Sequence, residues 1–347
     1  MTVYQAMQLN AAGSKNLMRQ AKNRKEKIKW TLVYLMKILL TVMFCFTFVT
    51  ITALWWGNEN SIVGVVILLS LLTLRQADFG IRTLHGTGVV LIIFGILLIG
   101  PRLSNALGPW GALMVNLVCL MGIMVFGCHH VMMSNQFTFV LGYLLLQGYD
   151  VEGHAWLVRE AALTGGGLLC AGIFAWKHRH QHYRRTIADI FKEFDLRSTR
   201  TGWQLKMAVG VSLALFFADL LQIPRSMWIG ICTMSMLVPF FEDTVYRAKR
   251  RAPFTLAGCI LFTVLYYLIP ESAFGYVGIL GGIGVGLSAT YSWQTVFNVL
   301  GALSVAVNMF GLAGAIFLRI GLNVLATVYV LFYAKICRLI RSSVLTA

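Results

Sequence analysis

Apolar stretches of about 20 residues follow one another along almost the whole chain, separated by short charged, glycine-rich or proline-rich breaks. A helix of that length crosses the hydrocarbon layer of a membrane, where the backbone must satisfy its own polar groups. The composition agrees, because 58% of the 347 residues are hydrophobic and 12% are charged, against about 25% charged residues in soluble domains. The pattern predicts an all-α integral membrane protein with about twelve transmembrane helices, in a range of roughly ten to twelve. The expected spans are 31–56, 61–78, 86–101, 109–126, 131–148, 157–176, 203–222, 226–241, 253–269, 274–290, 295–313 and 317–336.

The net charge of +16 comes from basic residues that cluster beside the apolar spans. A nucleic-acid-binding domain would instead carry its cations along one soluble face, so nucleic acid is not an expected partner. With the N-terminus inside the cell, most of the 29 Lys and Arg residues fall on the cytoplasmic side, as membrane proteins generally show. Both termini are therefore predicted to be cytoplasmic, and no cleaved signal peptide is indicated.

One long polar segment, 177–202, divides the chain into two sets of about six spans. The expected organisation is a basic cytoplasmic N-terminus (1–29), a first membrane repeat (30–176), a basic cytoplasmic linker (177–202), a second membrane repeat (203–338) and a cytoplasmic tail (339–347). An even number of spans in each half predicts two parallel six-helix repeats about an axis along the membrane normal. The shared landmarks are Lys37 with Lys206, the pair Asp78 and Arg82 with the pair Asp243 and Arg247, and Arg159 with Arg319.

The stretch EDTVYRAKRRAPFTLAG, residues 242–258, lies between two apolar runs and holds two acids and four cations. Its cations predict a cytoplasmic loop between two spans. Pro253 suits the first turn of the helix that follows, where its missing N–H is no loss.

The run from Lys206 to Gly258 resembles the fusaric acid resistance and aromatic acid exporter family. In that family a basic residue opens a span, Pro and Trp precede the next span, and an Arg-rich cytoplasmic motif ends in Gly-Thr and a further Gly. Phe254 stands where the family usually has Gly, which weakens the expectation of close backbone packing at that turn. The matching residues are Lys206, Pro224, Trp228, Arg247, Arg251, Thr255 and Gly258 in the second half, and Arg82, Gly86 and Thr87 in the first half.

The resemblance implies a secondary transporter that exports aromatic or other organic carboxylic acids across a bacterial plasma (inner) membrane, coupled to the proton gradient. An organic anion channel of the same fold is the first alternative, since related plant proteins conduct malate. A role in handling lipid or cell-envelope precursors, or as a membrane scaffold, is the second alternative. The expected partners are membrane lipid, a small organic anion and a second copy of the chain in a homo-oligomer.

Five side chains are candidates for binding an anionic aromatic substrate. A charge at membrane depth costs at least about 2.5 kcal/mol, so it needs a partner or a wet cavity. Lys37 and Lys206 either anchor a span at the interface or bind the anion. Arg319 and Asn323 share a helix face and either hold a carboxylate or form hydrogen bonds between helices. Trp228 either stacks on an aromatic ring or anchors the interface.

Two acidic residues, Asp219 and Glu160, are candidates for carrying a proton, because an apolar setting favours the protonated form of a carboxyl group. The alternatives are a helix-end residue in contact with water for Asp219 and an ion pair with Arg159 for Glu160. The adjacent residues His129 and His130 point to different sides of a helix, so no metal site is expected. No Walker, HExxH or Ser-His-Asp pattern occurs, so neither an enzyme activity nor a cofactor is expected.

Overall fold

The chain forms only helices in the residues that the computed structural model describes, 1–133 and 135–346, of which 271, 272 and 342–346 are described for the backbone alone. Helix accounts for 82% of the structure, and these residues contain no strand, which confirms the all-α prediction. Ala347, the last residue of the predicted tail, lies outside the described residues. The helices are α1 (Val3–Gln8), α2 (Ala11–Arg19), α3 (Arg24–Trp56), α4 (Ser61–Leu74), α5 (Thr83–Ala106), α6 (Pro109–Gly127), α7 (Gln136–Gly148), α8 (Gly153–His178), α9 (Ile187–Lys192), α10 (Thr199–Leu220), α11 (Ser226–Met236), α12 (Phe241–Leu268), α13 (Glu271–Phe274), α14 (Val277–Leu287) and α15 (Tyr291–Thr346).

Seven of these helices, namely α3, α5, α6, α8, α10, α12 and α15, are long and apolar enough to cross a membrane. Shorter apolar helices include α4, α11 and α14. The chain is therefore a multi-pass membrane protein. Each of the twelve expected spans overlaps a helix, but the shorter helices fall below the roughly 20 residues that a crossing needs. The number of twelve crossings accordingly stays a prediction.

The chain divides into two compact units. Unit 1 comprises Met1–Thr47 and Lys249–Val324, and unit 2 comprises Phe48–Ala248 and the chain from Leu325 onward. These two units are defined by which residues contact each other, and their bounds differ from those of the predicted repeats. The arrangement of residues 30–176 and 203–338 as two parallel repeats remains a prediction from the sequence.

In unit 2, α5 packs against α6, α7 and α8, and α10 packs against α6 and α11. The buried guanidinium of Arg159 on α8 holds the turn before α4 in place. Its Nε donates to Asn60 Oδ1 at 3.0 Å, and its Nη2 and Nη1 donate to the carbonyl oxygens of Glu59 at 3.2 Å and Tyr149 at 2.6 Å. Since these acceptors satisfy the cation, Arg159 stabilises the packing of unit 2.

In unit 1, glycines allow α12 and α14 to pack closely against α15. A Cβ atom at Gly258 would lie 2.6 Å from the carbonyl oxygen of Val296, and one at Gly281 would lie 2.9 Å from that of Phe297. Phe254, which replaces the glycine expected from the family motif, forms an edge contact with Trp293, with ring centroids 6.4 Å apart. Close packing therefore occurs one turn after the substituted position.

The prediction that residues 242–258 form a loop is wrong, because α12 runs without interruption from Phe241 to Leu268. Glu242 and Asp243 occupy the first turn, where acidic side chains complement the helix dipole. The Ala, Arg and Lys residues that follow are good helix formers, so charge alone did not end the helix. Pro253 lies inside this helix and not in a first turn.

The two expected spans 295–313 and 317–336 both lie in α15, which is bent at Gly311. Gly311 has a φ of 66° and a ψ of 173°, a conformation that side chains with a Cβ atom rarely adopt. The expected break between these spans therefore falls a few residues earlier than the sequence indicated, at a glycine.

Candidate functional site

A buried polar cluster in unit 1 is built around the guanidinium of Arg251, which is 4% exposed. Its Nε donates to Asn323 Oδ1 at 2.8 Å, and its Nη1 donates to the hydroxyl of Tyr291 at 3.3 Å. The hydroxyl of Thr255 donates to the same Asn323 oxygen at 3.2 Å. We call Arg251, Thr255, Tyr291, Arg319 and Asn323 the arginine cluster.

Helical spacing positions the members of this cluster. Arg251 and Thr255 are one turn apart on α12, and Arg319 and Asn323 are one turn apart on α15. The Asn323 amide nitrogen donates to the Arg319 carbonyl oxygen at 2.7 Å. This bond orients the amide so that its oxygen faces Arg251 and Thr255. Arg319 is also 4% exposed, so two guanidinium groups are buried within helices long and apolar enough to span a membrane.

The arginine cluster unites four residues that the sequence had singled out for two different reasons. The family motif points to Arg251 and Thr255, whereas helical spacing points to Arg319 and Asn323. The sequence does not indicate the fifth member, Tyr291. Tyr291 is the first residue of α15, and no local pattern relates it to Arg251, 40 residues earlier.

The cluster has the chemistry of an anion site. The hydrogen bonds of Arg251 to Asn323 and Tyr291 go to neutral oxygens, which orient the guanidinium. A guanidinium can form paired hydrogen bonds with a carboxylate, and such bonds are stronger in a site that excludes water. A Tyr hydroxyl, such as that of Tyr291, is a donor of the kind that fixes the orientation of a carboxylate, whereas the single O–H of Thr255 already donates to Asn323.

Lys206 and Arg247 meet at a second place, the break between α11 and α12 in unit 2. The Lys206 ammonium donates to the carbonyl oxygens of Val238 and Pro239, the latter at 3.3 Å. Arg247 Nη1 donates to the Ser235 carbonyl oxygen at 2.9 Å. Ser235 lies in the last turn of α11, so Arg247 acts there as a helix cap, whereas Lys206 donates to the carbonyl oxygens of two residues that follow the helix.

The remaining substrate-binding candidates lie apart from these groups within their own units. In unit 1 the Lys37 ammonium donates to the carbonyl oxygen of Leu9, between α1 and α2. In unit 2 the Trp228 side chain is 4% exposed on α11, which packs against α7 and α10. Their roles in binding a substrate stay predictions.

The motif residues of the first half lie at the start of α5. Arg82 is the residue before this helix, and its backbone N–H donates to the Arg185 carbonyl oxygen at 2.9 Å. A Cβ atom at Gly86 would lie 2.7 Å from the Phe174 ring, and the Thr87 hydroxyl bonds to its own helix. Like the motif residues on α12, Gly86 and Thr87 are therefore helical, as the expected span 86–101 implies.

The linker between the two halves is attached to the loops beside it through Arg185 and Tyr183. Arg185 Nη1 lies 3.1 Å from His129 Nδ1, and its Nη2 forms an ion pair with Glu193. The Tyr183 hydroxyl donates to a carboxylate oxygen of Asp78. We call these contacts the linker clamp. His129, which had suggested a metal ligand only at first sight, is part of it, and no metal-binding group of His, Cys, Asp or Glu occurs in the searched part of the chain.

The two proton-carrying candidates occupy different surroundings. Asp219 is half-buried in the last turn of α10, and its backbone carbonyl accepts from the Gln222 side chain at 2.8 Å. Glu160 is exposed on α8. The ion pairs found among the described residues do not include Glu160, and its neighbour Arg159 turns to Asn60 instead.

A comparison with protein families adds an independent observation. The family described as Fusaric acid resistance protein-like matches residues 213–333, about a third of the chain. No curated protein and no solved structure gave a match. The matched range contains every member of the arginine cluster, from Arg251 on α12 to Asn323 on α15. Residues 213–333 of this multi-pass membrane protein are thus similar to the fusaric acid resistance protein-like family, and the resemblance inferred from the sequence is confirmed over that range.

Proposed function

We propose that this chain is a secondary transporter that exports aromatic or other organic carboxylic acids across a bacterial plasma membrane, coupled to the proton gradient. The observation that carries the proposal is the burial of Arg251 and Arg319 in apolar helices of the family-matched segment. A buried charge in such a helix is costly, and residues of this kind commonly mark the path of a substrate.

The chemistry of the cluster supports an organic anion as the substrate. Its two guanidinium groups favour a negative charge, and the planar fork of Arg251 matches a carboxylate. Phe254 and Trp293 lie close to it in sequence on α12 and α15 and provide an aromatic surface for a ring. The function proposed is binding and release of the acid, without chemical conversion.

Alternating access would follow from two parallel six-helix repeats with both termini in the cytoplasm. Gly311 supports this view, since a non-helical glycine inside α15 lets its two segments change their angle without strain on a side chain. In this proposal, Asp219 is the candidate that exchanges a proton at the end of α10, because it is half-buried whereas Glu160 is exposed.

The test is the export of a labelled aromatic carboxylate from proteoliposomes that contain the full chain. Arg251→Gln should lower the rate at subsaturating substrate by about tenfold or more, because one charge-assisted hydrogen bond is lost. Arg250→Gln is the matched control, since this adjacent exposed arginine bonds to Ser292 and is not a member of the arginine cluster. Equal rates for both variants, after correction for the amount of folded protein, would contradict the proposed site.

The same vesicles allow a second measurement, which distinguishes a channel from a transporter. A transporter moves the acid against its own gradient when a pH gradient is imposed, whereas a channel only dissipates the gradient of the acid. Flux that depends on Arg251 but is never uphill would therefore retain the anion site and exclude the coupled transporter.

A further inference from the structure

The segment from α2 to the first turns of α3 carries an unusual concentration of positive charge. Between residues 15 and 29 there are seven basic residues and one acid, Glu26. The Glu26 carboxylate accepts hydrogen bonds from the Lys22 backbone at 2.9 Å and from the Trp30 indole at 3.3 Å. The ion pairs found among the described residues all lie elsewhere, so this acid neutralises none of these cations by direct contact.

The basic segment is fixed to α3 by packing and does not extend freely from it. Trp30 and Val33 form a small apolar core with Ala6 of α1, and Leu17 and Met18 of α2 pack against this core. The Thr31 hydroxyl contacts the Met18 sulfur at 3.2 Å, and the Lys37 ammonium bonds to the Leu9 carbonyl. The corner between α2 and α3 is therefore a defined surface of unit 1.

A cavity of about 650 Å³ opens at this corner. That volume lies within the range of ligand-binding sites in proteins. Its lining is polar and basic near the start of α3, at Asn23, Arg24 and Lys27, and becomes apolar further along the helix, at Ile28 and Leu32. The lining residues include Asn23, Arg24, Lys27, Ile28, Thr31 and Leu32.

The lining residues from Arg24 to Leu32 share one face of α3, because their spacing is that of successive helical turns, and Asn23 directly precedes the helix. Arg24 and Lys27 are three residues apart and can contact the same anionic group. Ile28 is 51% exposed and Leu32 is 60% exposed, directly below them along the helix. Exposed apolar side chains continue along the helix at Leu35, Leu39 and Met43.

Along this face of α3, two cations are followed by a strip of exposed apolar side chains. This order complements an amphiphilic ligand with an anionic head and an apolar tail. A nucleic acid or a free polar metabolite has no apolar tail and would leave the apolar strip uncovered. A phospholipid fits both parts, since its phosphate would meet Arg24 and Lys27 where α3 leaves the bilayer, and an acyl chain would lie along Ile28 and Leu32.

We propose that the α2–α3 corner is a binding site for an anionic phospholipid, with Arg24 and Lys27 contacting the headgroup phosphate and Ile28 and Leu32 contacting an acyl chain. The site differs from the arginine cluster in residues and in ligand. It anchors the N-terminal helices at the membrane surface and does not depend on the proposed transport activity.

The test uses the full chain purified in a nonionic detergent and exposed to equimolar phosphatidylglycerol and phosphatidylcholine. Native mass spectrometry counts the lipids that the protein retains. The wild-type chain should retain phosphatidylglycerol in preference, and the double variant Arg24→Gln, Lys27→Gln should retain about tenfold less of it. Equal retention of the two lipids by the wild-type chain would overturn the proposal.

The matched control is the double variant Lys22→Gln, Lys25→Gln. It removes the same charge from the same exposed segment, but neither side chain lines the cavity. A defined site predicts that this control keeps most of its phosphatidylglycerol, whereas a diffuse attraction between the basic segment and the lipid predicts an equal loss in both pairs. Equal losses would therefore overturn the site. Unchanged melting temperatures verify that both variants are folded.

A second variant tests whether the ligand is a lipid or only its phosphate. Leu32→Ser should lower the retention of phosphatidylglycerol severalfold, and soluble glycerol phosphate should not displace the lipid from the wild-type chain. If glycerol phosphate competes at concentrations equal to those of the lipid, or if Leu32→Ser retains lipid as the wild-type chain does, the phospholipid proposal is wrong.

Discussion

Nε of Arg251 on α12 donates to Oδ1 of Asn323 on α15 at 2.8 Å, although the two residues are 72 positions apart in the sequence. Both side chains are buried, so this bond is shielded from water and fixes how the parts of α12 and α15 that belong to unit 1 face each other. The same oxygen accepts from Thr255, which makes Asn323 the centre of the arginine cluster.

Asn323→Ala should destabilise the protein, because a buried guanidinium and a buried hydroxyl both lose their acceptor. The loss expected for a hydrogen bond to a charged group is about 1.5–3 kcal/mol. Thermal unfolding in detergent measures it, and Asn308→Ala, which alters an exposed amide on the same helix, is the control. An Asn323→Ala protein that unfolds at the wild-type temperature would show that the bond contributes nothing.

Gly258→Ala should also destabilise unit 1, for a steric reason. The new Cβ atom would lie 2.6 Å from the Val296 carbonyl oxygen, and relief of such overpacking typically costs about 1–3 kcal/mol. Gly301→Ala is the matched control, because a Cβ atom there meets nothing within 4 Å and alanine favours a helix. Denaturation midpoints should therefore move in opposite directions for the two variants. A neutral Gly258→Ala would contradict the close packing of α12 and α15.

The variant Lys206→Met distinguishes a structural role of Lys206, in the break between α11 and α12, from a role in binding the substrate. The variant keeps the apolar stem but removes the ammonium donor from the Pro239 carbonyl oxygen and leaves the Val238 carbonyl oxygen to the Thr244 hydroxyl, at a cost of about 1–3 kcal/mol. We expect a lower melting temperature with an unchanged substrate affinity of the folded protein. Loss of affinity without loss of stability would instead favour the alternative in which Lys206 binds the anion.

The linker clamp should open in acid. His129 lies in the loop after α6, and its pKa is below the ordinary value of 6.5 because of burial and the nearby positive charges of Arg185 and Arg200, which outweigh Asp78 and Glu193. Because the pKa of His129 is lower in the folded state than in the unfolded state, the docked linker favours the neutral imidazole. Its stability is therefore complete above pH 6.5 and falls as the pH drops from 6.5 through the lower folded-state value.

Hydrogen exchange of the linker measures this opening. Amide protection in residues 181–200 should be high at about pH 7.5 and lower at about pH 5. His129→Gln should remove the pH dependence, since its amide oxygen still accepts from Arg185 and does not titrate in this range. Equal protection of the wild-type linker at both pH values, once corrected for intrinsic exchange rates, would exclude His129 as the titrating group.

The helical class was predictable because long apolar runs restrict a chain to membrane helices, and the pairing of Arg319 with Asn323 followed from their spacing. The continuity of α12 is not evident from the sequence, since a cluster of charges between apolar runs usually marks a loop, although Ala, Arg and Lys favour a helix. The carbonyl partners of Lys37 and Lys206 depend on tertiary contacts with Leu9 and Val238, which no spacing in the sequence reveals.

The most direct test of the proposed function is uphill movement of an aromatic carboxylate in proteoliposomes under an imposed pH gradient. The account predicts accumulation against the gradient of the acid, its collapse when a protonophore is added, and a loss of about tenfold or more in Arg251→Gln but not in Arg250→Gln. Flux that only runs down the gradient of the acid, or accumulation that is the same in Arg251→Gln and in the wild-type chain, would contradict it.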